Sequence, residues 1–233
     1  MAKRPLTEVA PVNEQLPKTG SDLNPYEELG RERRTPIVGA LLRFNRGDYI
    51  AGQEGDMLPP KTKVVAVMPS MLRGWQKWEE NRPTDAVMGL VGEGFVEPKR
   101  IDLGDHDKAV WDLDGDGEPR DPWQLTFMLI MIDAADNELY TFVTSSGGGM
   151  DAMRTLGSIY GQHIRLKPDE LPVLELDVGG YQHRDRSIGR VKTPKFNVVG
   201  WVNDDKYIAL AKQVPNESGG ESSSAPAAPE TVF

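Results

Sequence analysis

Between residues 35 and 212, short apolar runs rich in β-branched and aromatic side chains are cut repeatedly by Gly, Pro, Asn and Asp. Long helices need an uninterrupted 3.6-residue apolar period, whereas strands of four to eight residues separated by turn formers give this pattern. A mainly β domain is therefore expected, with strands near Ile37–Phe44, Lys63–Met68, Ala86–Phe95, Leu125–Ile132, Glu138–Val143, Pro172–Val178 and Arg190–Val202. The clearest hairpin joins the fourth and fifth of these, because Asp133–Asn137 is a polar turn between apolar runs. Two helices are predicted. Ser70 caps a short one carrying Met71, Trp75 and Trp78, and Ser146 caps another carrying Met150, Met153, Leu156 and Tyr160, stopped by Gly161. From Ala86 the order strand, strand, strand, helix, strand, strand predicts an OB-like barrel or a related antiparallel β architecture, its core about 86–203.

The flanks differ in kind. Residues 1–34 mix Pro5, Pro11, Pro17 and Pro25 with six basic and six acidic side chains and have no apolar period, so they read as a disordered arm. Residues 213–233 are Ser, Gly, Ala, Pro and Glu in character and read as a disordered tail ending in Val232 and Phe233. A tail of this kind suits weak, exchangeable docking of a terminal Phe into a partner's pocket. With no cysteine there is no disulfide, thiolate metal site or cysteine nucleophile, and a reducing compartment is expected. No apolar stretch is long enough for a membrane helix and no secretion signal follows Lys3 and Arg4, so a cytoplasmic protein is expected.

The net charge of −9 speaks against nucleic acid until its distribution is resolved. Ile101–Asp121 holds eight acids against Lys108 and Arg120, while Tyr181–Lys195 holds Arg184, Arg186, Arg190, Lys192 and Lys195 against Asp185 alone. In an OB-like fold Tyr181–Gly189 is the loop that joins the last two strands. Tyr181 is then placed to stack on a base, with His183 and the five cations on the phosphates. The plainer alternative is a solvated hairpin paired with the acidic segment. Tyr140, Phe142, Phe196 and Trp201 are read mainly as core, with Phe196 and Trp201 on opposite strand faces.

Three other patterns carry less chemistry. Asp112, Asp114 and Asp116 open like a calcium loop, but position twelve is Trp123 instead of a bidentate Glu. Glu93, Asp105, Asp107 and Asp121 are the carboxylates a metal-dependent nuclease would draw on, although their spacing defines no rigid site. Ser145–Gly149 precedes a helix and offers N–H groups to an anion, yet lacks the P-loop lysine and spacing; a glycine-rich corner is the commoner cause, and no cofactor is expected.

The stretch from about Gly39 to Val202 resembles a family of uncharacterised phage and prophage proteins in Gly74-Trp75-Gln76-Lys77-Trp78, Arg120-Asp121-Pro122-Trp123-Gln124, Thr144-Ser145-Ser146-Gly147-Gly148, Pro194-Lys195-Phe196 and Gly200-Trp201. That resemblance implies a bacterial cytoplasm and a mobile-element setting, with no activity transferable residue by residue. The tail is similar in arrangement, though poorer in acid, to those of single-stranded DNA-binding proteins, which end in acidic residues followed by Phe. The leading expectation is a non-enzymatic single-stranded DNA-binding protein that recruits replication or recombination proteins through Val232 and Phe233. The alternatives are a phage structural or adaptor protein that binds other proteins through its disordered ends, and a metal-dependent nuclease.

Overall fold

The computed structural model describes residues 37–115, 117–184, 186, 189–203 and 205–213, so the N-terminal arm, Asp116, Val232 and Phe233 lie outside the described residues. The strands are β1 (Ala40–Asn45), β2 (Asp48–Ala51), β3 (Asp56–Met57), β4 (Lys63–Ala66), β5 (Leu72–Glu79), β6 (Arg82–Leu90), β7 (Trp123–Asp133), β8 (Leu139–Thr144), β9 (Glu170–Gln182) and β10 (Arg190–Asn203). Helix α1 (Gly147–His163) separates β8 from β9, and α2 (Asp205–Gln213) follows β10. The fold is mainly β, as expected. All ten strands belong to one mixed sheet running β10-β9-β4-β7-β8-β1-β2-β3, with the β5–β6 hairpin branching from β7. Among the described residues no strand pairing joins β10 to β3, so the sheet is open and not closed into a barrel.

Strand β7 organises the molecule. Its near-continuous apolar sequence, WQLTFMLIMID, is what a strand covered on both faces requires, and Met128, Leu129, Met131 and Ile132 are all buried. One edge pairs with β5 and then β4, while the other pairs with β8 through the expected hairpin. The Asp133 side chain accepts from Ala135 N–H and its main chain closes on Glu138, which is how the polar residues make the turn. β1 joins β8 in parallel, a pairing that no local turn signals.

Ser146 caps α1 as expected, its hydroxyl accepting from Gly149 N–H at 3.2 Å. Met153 and Leu156 are buried, and Met150 and Tyr160 pack beside them. Gly161 does not stop the helix, which continues to His163, where the imidazole stacks on Trp201 at 3.4 Å and meets Glu170 Oε2 at 2.8 Å. Phe196 and Trp201 share a face after all. The pairing slips between Val198 and Gly200, so Phe196, Val198 and Trp201 lie opposite Leu176, Leu174 and Pro172.

The helix predicted after Ser70 is instead β5. The hydroxyl of Ser70 donates to Val67 O and accepts from Ile130 N–H, and Leu72–Glu79 lies between β6 and β7. Two-sided pairing overrides the apparent helical spacing of Met71, Trp75 and Trp78. Among the described residues, no helix is long and apolar enough to cross a membrane.

Candidate nucleic-acid interface

The cationic segment forms the end of a two-stranded ribbon. β4 pairs with β9 only over Val173–Glu175, and Leu176 N–H still reaches Thr62 O at 2.9 Å. Beyond that point Asp177–Gln182 pairs only with Arg190–Lys195. At the tip, His183 N–H donates to Gly189 O at 3.0 Å, and Gly189 takes the left-handed φ of 75° that the turn needs.

One residue from across the sheet fastens the ribbon at its base. The hydroxyl of Tyr49, on β2, donates to Asp177 O at 2.9 Å and accepts from Lys195 N–H at 3.1 Å. Its ring packs against Phe44 and Phe196. Burial of the phenol raises its pKa above the ordinary tyrosine value, so it stays protonated and serves as donor and acceptor together.

Strand alternation divides the expected site residues between two faces. Arg190 and Lys192 lie on the face of Pro194 and Phe196, opposite Gln182 and Gly180. Tyr181 and Lys195 lie on the other, opposite Val191 and Asp177. Arg184 and Arg186 sit at the tip, exposed, with His183 half-buried between them and the strand. Tyr181 is 50% exposed, whereas Tyr140, Phe142 and Phe196 are buried as core, which leaves Tyr181 as the exposed ring of the ribbon. Lys195 approaches Asp177 at 4.0 Å, but that carboxylate is already held by Val178 N–H and Asn197 Nδ2, which keep its pKa below the usual value. Among the described residues, Arg184, Arg186, Arg190 and Lys192 form no salt bridge. No described residue of the acidic segment forms a salt bridge with them.

A neighbouring element escaped the sequence reading. Asn45–Asp48 turns β1 into β2 through Arg46 at φ 51° and Gly47 at φ 107°, and Lys192 lies directly over Gly47. The signal was present as Asn45-Arg46-Gly47-Asp48 between apolar runs, a turn pattern that would have placed β2.

The carboxylates work as structural anchors. Asp105 accepts from Trp123 Nε1 at 2.8 Å and faces Lys77 at 3.2 Å; Asp121 accepts twice from Arg100 Nε, and Asp107 caps a 310 turn through Ala109 N–H. Asp112 Oδ2 accepts from Glu80 N–H, and Asp114 folds its own loop by accepting from Glu118 N–H. No group of three or more His, Asp or Glu is arranged to hold a metal among the described residues. A cleft of about 270 Å³ beside Trp78 and Arg120 is lined by Glu80, Asp112 and Asp121, an acidic balance that repels phosphate. The Ser145–Gly149 run serves close packing: a Cβ on Gly149 would lie 1.9 Å from Thr144 Oγ1, and one on Gly148 2.4 Å from Thr193 Cγ2.

The geometry defines a class: an open, mixed β sheet with a cationic ribbon at one edge. No family model, curated protein or solved structure matches the chain.

Proposed function

We propose that this is a non-enzymatic nucleic-acid-binding protein that grips the phosphate backbone of single-stranded DNA with the β9–β10 ribbon. The observation that carries the proposal is the set of four exposed cations, Arg184, Arg186, Arg190 and Lys192, without carboxylate partners among the described residues of an otherwise acidic chain. Phosphate binding gains its free energy from the counterions such cations displace, and Tyr181 adds a stacking surface worth about 1–3 kcal/mol per base. Support for an OB-like architecture comes from Tyr49, which ties β2 to β9 and β10 by side-chain bonds where no strand pairing exists. The phage or prophage setting, a role in DNA replication or recombination in a bacterial cytoplasm, and recruitment of partners by Val232 and Phe233 belong to the same proposal.

Titration of labelled single-stranded and duplex DNA across a salt series tests it. With five basic residues engaged, log affinity for single strands should fall with log salt at a slope of roughly −3.5, from about −0.7 per phosphate. Replacing Arg184, Arg186 and Arg190 with Ala should weaken binding to every sequence and flatten the slope. Salt-independent binding, or unchanged affinity in the triple variant, removes the ribbon as the site; tighter binding to duplex overturns the strand preference.

A protein-adaptor reading rests on a different region. The connection between β6 and β7 is pinned by polar bonds, including Trp75 Nε1 to Pro98 O and Trp111 Nε1 to Asp105 O, while Val96, Ile101, Val110 and Leu113 stand 65–82% exposed. Long connections of this kind without regular strands are commonly functional. Partner capture that survives nuclease treatment and is lost on replacing these four aliphatics would favour it.

A further inference from the structure

We infer that the β1–β2 turn is a second contact element for the same polyanion, with Arg46 as a phosphate contact and Gly47 as a positioning residue for Lys192; the inference rests on the nucleic-acid reading above. Gly47 adopts φ 107°, and a Cβ built on it would lie 2.5 Å from Lys192 Cδ and 2.8 Å from Lys192 Nζ. The lysine stem therefore lies against the turn, in space that a Cβ at residue 47 would enter. The side chain lies over residue 47, and Lys192 remains an exposed residue. A flexible lysine normally loses much side-chain freedom when it engages a ligand; one already laid against a turn loses less.

Chain connectivity puts a further cation in the same turn. Arg46 precedes Gly47 in the turn and is exposed, and Lys192 shares its ribbon face with Arg190. The face opposite Tyr181 thus continues from the ribbon onto the turn, joining cations from two elements far apart in sequence. A ligand spanning both must offer successive negative charges along a chain, as a phosphodiester backbone does. Asp48, also exposed, closes the turn and is its acidic residue. It sets a limit on how far the cationic surface extends.

The test compares full-length Arg46→Ala, Lys192→Ala, Gly47→Ala and the Gly47→Ala/Lys192→Ala double variant with Arg184→Ala/Arg186→Ala/Arg190→Ala, on labelled oligothymidylate across a salt series. Arg46→Ala should make the slope shallower by about 0.7, one phosphate's share. Gly47→Ala should reproduce the loss seen in Lys192→Ala, and the double variant should lose no more than Lys192→Ala alone, a non-additivity that a merely structural glycine would not give. An unchanged slope in Arg46→Ala, with the triple variant flattened, overturns the second contact and leaves the ribbon reading standing. If the triple variant is unchanged as well, both fall. Should thermal unfolding show that Gly47→Ala does not fold, the Arg46→Ala slope alone decides.

Discussion

Asp105 shows how a single side chain converts sequence into local order. It lies in the connection between β6 and β7, takes a left-handed φ of 51°, accepts the indole N–H of Trp123, and faces Lys77 of β5. Its main-chain oxygen also receives Trp111 Nε1 and Arg100 Nη2. The hydrogen bond from Trp123, then that from Lys77, holds its carboxyl below the ordinary aspartate value. A carboxyl with a lower pKa when folded contributes stability that is fully present above the unfolded value of about 3.9 and is lost as pH falls through the folded one. The stability difference between wild type and Asp105→Asn should therefore be constant near neutrality and shrink below about pH 4. Urea unfolding at several pH values, followed by tryptophan fluorescence, measures this; a difference that stays constant into acid would show that the charge of Asp105 contributes nothing.

At the scale of elements, what the sequence made legible depended on whether local chemistry decided the structure. The Asp133–Asn137 turn and the Ser146 cap are readable because the residues that specify them also make their hydrogen bonds. β5 was misread because Met71, Trp75 and Trp78 fall at helical spacing, whereas the strand is fixed by pairing with β6 and β7. The informative local signal was Glu80-Asn81, both left-handed, at the hairpin turn. The bulge at Val199 and the parallel β1–β8 pairing arise from tertiary register and leave little mark on the residues concerned. For the site, the cationic segment was visible in composition; its division between two faces and its neighbour at Gly47 required the fold.

The ribbon itself depends on Tyr49. Replacing Tyr49 with Phe keeps the ring among Phe44 and Phe196 but leaves Lys195 N–H and Asp177 O without the phenol. A buried polar group losing its partner costs about 1–3 kcal/mol. Amide hydrogen exchange should accelerate over Asp177–Gln182 and Arg190–Lys195 while β7 keeps its protection, since the ribbon can open without exposing the core. Uniform acceleration throughout the sheet would place Tyr49 in the global unfolding unit instead.

At the scale of the whole molecule, a cationic ribbon on a chain of net charge −9 imposes an electrostatic geometry on any polyanion it meets. Residues 35–212 carry −6, so a strand extending past the ribbon onto the body meets repulsion. The ribbon from Leu176 to Gln182 is roughly 20 Å long at about 3.3 Å per residue. Phosphates spaced about 3.4 Å apart or more would then find room for at most about six contacts along it. Affinity for oligothymidylate should rise with length until the strand covers the ribbon and turn, then level off, with the salt slope settling at about −4. A protein that wraps its ligand around a basic groove would instead show a slope that steepens with every added nucleotide. Titrating strands of about 4, 8, 16 and 32 nucleotides at fixed total phosphate separates the two behaviours, and continued steepening to the longest strand would mean that the binding surface lies beyond the ribbon and turn.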